Sequence, residues 1–327
     1  MSADIVDIHT HYLPRTLVQA LERRTELPRI SGPSDARVIE YGEGNVHPVL
    51  PAMSDLDLRR ADMERDGIGT AVLAVNVPGL DWFPEDEGAD VARAVNDELA
   101  DVVAHGDGRL AALAALPMQA PDAAAAELER AVSNGFKGAT IYSNVAGHGL
   151  DEPRFRAVFA TAARLDVPLL MHPTYPLSAR ILDAYALIPT LGFLVDTTTA
   201  ALRLVLDGLY ARHPEFKLVI AHAGSLLPQL AGRIDYEASR DPNGYGALDG
   251  PPGEHLRRLY TDCVCVWPPA LRSTVDLLGP ERVMFGSDYP FWDPRRSLDT
   301  IDGAGFDQTV AENIRHANAR TLFALDA

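Results

Sequence analysis

Three histidines and one aspartate each follow a short apolar run of the sequence, and side chains of these types could bind a metal. His9 and His11 follow the first run with one residue between them, His172 follows a later run, and Asp288 follows the last. Alternate residues of a strand share a face, so both imidazoles of a His-x-His pair can point the same way. Each signal is weak alone, but imidazoles with a carboxylate suit a first-row divalent ion. Together they predict a catalytic metal centre with one position left for water or substrate.

A fourth histidine, His222, also stands directly after an apolar run. It could be a further metal ligand, or it could be a base or electrophile beside the metal, since histidine titrates near neutral pH. We favour the base or electrophile role. Asp288 could combine metal binding with proton exchange with the substrate, so His222 and Asp288 are the candidate catalytic residues.

Short apolar runs that alternate with helical patterns must position these groups. Amphipathic helical periodicity is clear over residues 88–105 and 121–134. Strands that alternate with helices predict a parallel sheet, and eight of them predict a closed (β/α)8 TIM barrel with its chemistry at the carboxyl ends of the strands. The length fits one metal-dependent barrel domain over residues 1–327. The eight runs are Ile5–Ile8, Gly69–Val75, Leu110–Leu116, Gly138–Tyr142, Pro168–Met171, Leu218–Ala221, Leu259–Val264 and Val283–Gly286.

Two segments interrupt this repeat. Residues 25–54 are rich in glycine and proline and predict an insertion after strand one, on the side where barrel active sites lie. Residues 240–254 predict a second loop of similar composition after strand six.

Composition excludes several classes of protein. The formal net charge is −17 and the sequence has no Lys/Arg-rich run, which disfavours binding to nucleic acid or to an anionic membrane. We expect no membrane span, because no apolar run reaches the necessary length. Cys263 and Cys265 are too close along a strand to bridge easily, and the first residues lack a signal-peptide pattern. We therefore expect a cytoplasmic protein without structural disulfides.

The motifs His9-Thr10-His11, His172-Pro173-Thr174, His222-Ala223-Gly224 and Gly286-Ser287-Asp288-Tyr289-Pro290-Phe291 resemble the amidohydrolase-2 branch of the amidohydrolase superfamily. That group contains aminocarboxymuconate-semialdehyde decarboxylase. The resemblance implies a single Zn²⁺ or Mn²⁺, with zinc favoured, on the three histidine ligands and Asp288. It also implies His222 as the catalytic histidine, and a homo-oligomer that is a dimer or larger.

Gly232-Arg233-Ile234 resembles the sequence that carries a substrate-binding arginine in the semialdehyde decarboxylase. Arg233 could bind a substrate carboxylate, or it could be an ion-pair residue with Asp235 or Glu237. A second substrate arginine of that enzyme lies in the insertion after strand one, where this chain has His47 and no arginine nearby. This departure disfavours a dicarboxylate substrate and makes His47 a candidate substrate contact.

Aromatic residues flank the predicted mouth of the barrel: Trp82, Tyr175, Phe291 and Trp292. Flat rings suit an aromatic small-molecule substrate, through stacking and apolar burial, although ordinary loop packing would explain any one of them equally well.

The leading hypothesis is a metal-dependent non-oxidative decarboxylase of an aromatic or unsaturated carboxylic acid. In that reaction the metal acts as Lewis acid and template while His222 or Asp288 supplies a proton. The alternative is a metal-dependent hydrolase of a lactone, ester or amide, in which the same residues activate water. A third hypothesis, a catalytically silent barrel used for binding, conflicts with the complete set of ligands.

Overall fold

Thirteen strands and thirteen α-helices lie along the part of the chain that the computed structural model describes, residues 4–42, 45–75, 77–240 and 248–325. The strands are β1 (Ile5–Tyr12), β2 (Arg29–Ser31), β3 (Val38–Gly42), β4 (Asn45–Pro48), β5 (Ile68–Val75), β6 (Leu110–Ala112), β7 (Ala114–Ala115), β8 (Ala139–Tyr142), β9 (Asn144–Val145), β10 (His148–Gly149), β11 (Leu169–His172), β12 (Leu218–Ile220) and β13 (Tyr260–Thr261). The helices are α1 (Arg15–Arg23), α2 (Leu56–Asp66), α3 (Glu85–Ala104), α4 (Pro121–Ser133), α5 (Arg156–Leu165), α6 (Phe193–Leu206), α7 (Leu209–Arg212), α8 (Leu227–Arg240), α9 (Pro252–Leu256), α10 (Pro268–Leu278), α11 (Pro294–Gly303), α12 (Gln308–Glu312) and α13 (Asn318–Leu322).

Parallel pairing of the central strands produces the predicted barrel. One sheet has the order β1-β5-β6, and a second has the order β7-β8-β11-β12-β13. The third apolar run joins the two sheets, because its Leu113 amide donates to the carbonyl of Leu73 and its Ala114 amide donates to the carbonyl of Gly138. The run is therefore interrupted at Leu113, where we predicted one continuous strand.

The eighth apolar run closes the barrel through single hydrogen bonds and isolated bridges between strands. The Met284 amide donates to the carbonyl of Thr261, and the Ile8 amide donates to the carbonyl of Phe285 at 3.1 Å. The Asp288 amide then donates to the carbonyl of His9 at 2.8 Å. These bonds run from β13 to β1 and confirm the closed (β/α)8 architecture.

Alternate side chains of the barrel strands form a separate apolar cluster, which is completed by Leu322 of α13 and by Phe323 directly after it. Such layers fill the interior of a TIM barrel and leave its carboxyl-terminal end for the site. The strand residues of this cluster are Val6, Ile8, Val72, Ala111, Leu113, Leu170, Val219 and Met284. The opposite faces of the strands pack against the surrounding helices, among them α3 and α4, which match the helical patterns predicted from the sequence.

The predicted insertion after strand one forms an antiparallel sheet of β2, β3 and β4. Tyr41 of β3 and His47 of β4 lie with their rings 5.4 Å apart. The second predicted loop, residues 240–254, lies partly outside the described residues, and its described end forms α9.

One helical stretch, Ile188–Leu206, is long and apolar enough to cross a membrane by length and composition, contrary to our expectation from the sequence. Half of it is buried inside the structure. Within it, the buried carboxylate of Asp196 accepts hydrogen bonds from Ser143 and Asn144. A half-buried stretch with a bonded carboxylate is typical of the core helix of a globular protein.

Candidate metal centre and active-site cavity

Four side chains meet at the carboxyl-terminal end of the barrel. His9 and His11 come from β1, His172 is the last residue of β11, and Asp288 belongs to the segment that closes the barrel. One ligand atom from each lies within 4.8 Å of the others, and all four residues are buried. The prediction that these groups form a single divalent metal site is confirmed.

The hydrogen bonds of the imidazoles fit a bound cation. His9 Nδ1 lies 2.7 Å from Asp262 Oδ2, and His172 Nδ1 lies 2.7 Å from the carbonyl oxygen of Pro173. Metal-binding histidines commonly engage their second nitrogen in this way, which fixes the ring and the tautomer. His9 Nε2 and His11 Nδ1 are buried without a hydrogen-bond partner among the described residues. Three nitrogen donors and one carboxylate are a donor set for a first-row divalent ion.

Asp262, which is not among the site residues predicted from the sequence, orients this site. Besides contacting His9, its carboxylate accepts hydrogen bonds from the backbone amides of His222 and Ala223, each at 3.0 Å. One carboxylate therefore fixes both a metal-binding ring and the turn that carries His222. The signal was present, because Asp262 is a charged residue inside the seventh apolar run, close to the end of its strand.

Asp7 is a second acidic residue that the sequence analysis passed over. Its carboxylate accepts hydrogen bonds from the backbone amides of His9 at 3.2 Å and Ser287 at 3.1 Å. It therefore joins β1 to the closing segment at the residues that adjoin the site, His9 and Ser287. Burial raises the pKa of Asp7 to about 7, although the Ser287 hydroxyl partly offsets this effect.

The surroundings of Asp288 favour the ionised form of its carboxylate despite its burial. Burial would raise its pKa, but the charges and hydrogen bonds of His9, His11 and His222 hold that pKa well below its usual range. Asp288 Oδ1 lies 2.9 Å from His11 Nε2, and Asp288 Oδ2 lies 3.7 Å from His222 Nε2. The group is thus available as an anionic ligand that also faces His222.

Burial makes two of the histidines neutral donors. Desolvation lowers the pKa of His11, and it lowers the pKa of His172 well below the usual value, with His11 adding to the effect at His172. At His9, burial also lowers the pKa, but Asp288 and Asp262 outweigh it and raise the pKa to about 9. A cation at His9 Nε2 would compete with the second proton of this ring for the charge of Asp288, since metal binding and deprotonation of ligands are coupled.

His222 lies beside the four ligands on a strained turn. Its ring centroid is 5.5 Å from that of His172. Four consecutive residues here have left-handed backbone angles, with φ of +63° at His222, +51° at Ala223, +77° at Gly224 and +53° at Ser225. Such conformations cost about 1–3 kcal/mol each outside glycine, and they cluster at functional sites. The bonds from Asp262 hold the turn in this form.

The metal centre opens into a cavity of about 870 Å³. Three predicted substrate contacts, His47, Tyr175 and Phe291, line it together with His172, His222 and Asp288. The ring of Phe291 lies 5.4 Å from that of His11.

Trp82 and Arg233 are not among the described residues that line this cavity. Trp82 is half-buried in the loop after β5, where its carbonyl accepts a hydrogen bond from Arg24. Arg233 is exposed on α8, well past the strand end that carries His222. The structure therefore does not bring Trp82 and Arg233 to this cavity within one chain, and their roles as substrate contacts stay predictions.

Comparison with known proteins identifies relatives of this chain. The family model described as Amidohydrolase matches residues 6–325. A gamma-resorcylate decarboxylase of Rhodococcus jostii (strain RHA1) is 36% identical over 295 residues, which cover 83% of this chain and 88% of that protein.

Two solved structures are also similar. The apo form of Metarhizium anisopliae IDCase has a TM-score of 0.92 and 25% identity, covering 100% of this chain and 99% of that chain. A dihydroxybenzoic acid decarboxylase from Polaromonas sp. JS666, with bound manganese and the inhibitor 2-nitroresorcinol, has a TM-score of 0.83 and 27% identity. It covers 99% of this chain and 98% of that chain.

Proposed function

Because this chain belongs to the amidohydrolase family, we propose that it is a metal-dependent, non-oxidative decarboxylase of an aromatic carboxylic acid, and therefore a carbon–carbon lyase. One observation carries the proposal: His222 Nε2 lies 3.7 Å from Asp288 Oδ2, at the point where the metal-binding groups meet the cavity. The Rhodococcus relative is named as a decarboxylase, which favours this reaction over the hydrolysis of a lactone, ester or amide.

The reaction exchanges a carboxylate for a proton. The bond between the ring carbon and the carboxylate breaks, CO2 leaves, and the ring carbon keeps the electron pair and gains a proton, so no oxidant is needed. A divalent ion held by His9, His11, His172 and Asp288 would supply Lewis acidity and a template for the substrate oxygens. The neighbouring imidazoles hold the pKa of Asp288 well below its usual range, which favours His222 over Asp288 as the residue that delivers this proton.

The lining of the cavity suits an aromatic ring. Phe291 packs edge-on against His11, and Tyr175 and His47 line the same space. Aromatic side chains attract a flat ring through offset or edge-to-face contacts, each contributing about 0.5–1.5 kcal/mol beyond the burial of area. We propose these three residues as substrate contacts.

Product analysis tests the proposal. We expect metal-loaded protein to release CO2 from 2-hydroxybenzoates and to leave lactones intact, and we expect a chelator to abolish the release. His172→Ala should lose both bound metal and turnover, whereas His148→Ala, an exposed histidine paired with Glu152, should lose neither. Opening of a lactone ring without CO2 would replace the proposal with the hydrolase alternative.

We propose zinc as the resident ion. Three imidazoles and one carboxylate suit zinc, and they also suit manganese, which the Polaromonas structure is described as binding. Elemental analysis of protein purified without added metal distinguishes the two ions.

We also propose that residues 1–327 act as one barrel domain in a cytoplasmic homo-oligomer, a dimer or larger. Exposed apolar side chains on the segment after β11 support a subunit contact: Leu177, Ile181, Tyr185 and Leu191 are 64%, 76%, 92% and 41% exposed. Both cysteines are free, as expected in a reducing compartment. Light scattering of the purified protein and cell fractionation test these statements.

A further inference from the structure

The cavity is polar at its floor and apolar at its mouth. His172 and Asp288 at the floor are buried. Val266, Trp267 and Trp292 at the mouth are 41%, 63% and 38% exposed. Clusters of exposed apolar side chains around a cleft usually mark a surface that binds an apolar group. The cavity therefore runs from a charged end at the metal centre to an apolar end at its mouth.

A ligand can meet a positive charge at the floor of the cavity, where the metal would be bound. Of the described residues that line the cavity, none is lysine or arginine. The chain as a whole carries a formal charge of −17, which opposes the entry of a multiply charged anion. A ligand can thus have one carboxylate neutralised at the metal centre, but a second carboxylate further out would be buried without a counter-charge.

The walls between floor and mouth are mainly aliphatic and aromatic. Phe193 and Leu194 project from α6, Leu226 precedes α8, and Ala270 lies on α10. Pockets of about 300–1,000 Å³ bury drug-sized ligands, so about 870 Å³ greatly exceeds the needs of a bare hydroxybenzoate. With so small a ligand bound, the rest of the apolar wall would stay in contact with water during turnover.

One residue at the mouth, Val266, has a strained backbone conformation. Val266 has φ of +43°, a conformation that is an outlier for a β-branched side chain. Strain of this kind persists only where the surrounding structure enforces it, and it is concentrated at ligand sites. Here the strained backbone lies at the rim of the cavity, which Val266 and Trp267 line.

From these features we infer that the substrate is a monocarboxylic hydroxybenzoate with an apolar substituent of several carbons on the side of the ring away from the carboxylate. The inference rests on the proposed decarboxylase function and specifies its substrate class. The carboxylate lies at the floor, the ring lies beside Phe291, and the substituent lies along the apolar walls towards Trp267.

A homologous series tests the inference. We would measure kcat/KM for CO2 release from 2-hydroxybenzoates with hydrogen, methyl, propyl, pentyl or heptyl at position 4 or 5. Burial of one methylene group changes an equilibrium about fourfold, so kcat/KM should rise by about that factor per carbon until the chain reaches the mouth. A ring with a second carboxylate in place of the alkyl group should react more slowly than the unsubstituted acid.

Two variants test whether the apolar wall and the rim cause the increase of kcat/KM with alkyl chain length. Ala270→Phe fills the wall and Trp267→Ala opens the rim, and both should lower the ratio of kcat/KM for the pentyl acid to that for the unsubstituted acid by about tenfold or more. Leu58→Ala, an exposed apolar residue on α2 that is not among the described cavity-lining residues, should keep the wild-type ratio.

The outcomes separate the two proposals. If none of the acids releases CO2, the decarboxylase function fails. If the unsubstituted acid is decarboxylated and lengthening the chain gives no gain, the substrate inference fails and the function stands. The inference also fails if Trp267→Ala changes the oligomeric mass but leaves the chain-length profile intact, because the rim would then be a subunit interface.

Discussion

Two buried aspartates differ sharply in their surroundings. Asp288 at the metal centre and Asp81 in the loop after β5 are 8% and 4% exposed. The imidazoles around Asp288 hold its pKa well below the usual range. Burial raises the pKa of Asp81 to about 8, since only the Met118 amide opposes it. The Oδ1 atom of Asp81 has no hydrogen-bond partner among the residues that the structure describes.

The difference shows that burial alone does not make a carboxyl group functional. Desolvation acts on both groups in the same direction, and the neighbouring charges decide which form exists at neutral pH. A strongly shifted pKa indicates a functional site only when it coincides with a cavity and with chemical partners. Asp288 meets both conditions, whereas Asp81 is not among the described residues that line the cavity.

Asp288→Asn removes the negative charge that distinguishes Asp288 from Asp81. The amide is a poorer ligand and cannot balance the charge of His222, so we expect kcat/KM for decarboxylation to fall about 10⁴-fold, with loss of bound metal. Turnover and metal content measured on the same preparation check this result. Asp81→Asn is the matched control, and a comparable loss in that variant would contradict the distinction between the two carboxyl groups.

His222→Gln should separate proton transfer from metal binding. His222 is not one of the four grouped ligands, and general acid–base catalysis contributes about 10²–10⁴-fold. We expect kcat to fall by about 10²–10³-fold while the metal content stays at the wild-type value. Loss of metal from this variant would make His222 a ligand instead.

Asp262→Asn should show a smaller effect that acts through His9. Partners of metal-binding histidines commonly contribute about 10–100-fold to metal affinity or activity. We expect the metal dissociation constant, measured by competition with a chelator, to rise within that range. Restoration of turnover by excess metal would identify Asp262 as a positioning residue, and unchanged affinity would argue against the His9 contact at 2.7 Å.

Asp81→Asn should change stability and leave turnover close to the wild-type value. The folded pKa of about 8 exceeds the unfolded value of about 3.9, so the folded protein keeps a proton that the unfolded chain releases. This term therefore lowers the free energy of unfolding as pH rises from about 4 to about 8, by up to about 1.4 kcal/mol per pH unit.

Urea unfolding at several pH values checks the sign of this effect. The stability of Asp81→Asn relative to wild type should increase with pH across that window. The exposed Asp276→Asn on α10 should show no such trend. A difference between Asp81→Asn and wild type that does not vary with pH would mean that Asp81 is ionised in the folded protein.

The sequence predicted the barrel and its metal ligands because both leave local signals. A strand end is marked by an apolar run, and His9, His11, His172 and Asp288 each follow one. The ends of parallel barrel strands meet at one rim, so residues distant in the chain could be brought together without knowledge of the side-chain geometry.

Other parts of the site depend on contacts that no local pattern records. Asp262 lies within an apolar run, and its role follows from the approach of β13 to His9 and to the turn at His222. The left-handed angles of that turn, at residues other than glycine, are imposed by the same contacts. Trp82 and Arg233, predicted as substrate contacts, are not among the described residues that line the cavity, since residue type and motif do not specify where a loop or helix directs a side chain.

The turn at His222 is fastened through its backbone amides, and this has a consequence for the diversification of the enzyme. Asp262 binds the main chain at His222 and Ala223, and Thr261 accepts from the amide of Gly224 at 2.7 Å. Side chains such as Leu226, just after the turn, and Ala270, on α10, can therefore be exchanged with little effect on the position of the imidazole. A mutagenesis library on these outer positions should yield altered substrate ranges at low cost to the chemistry.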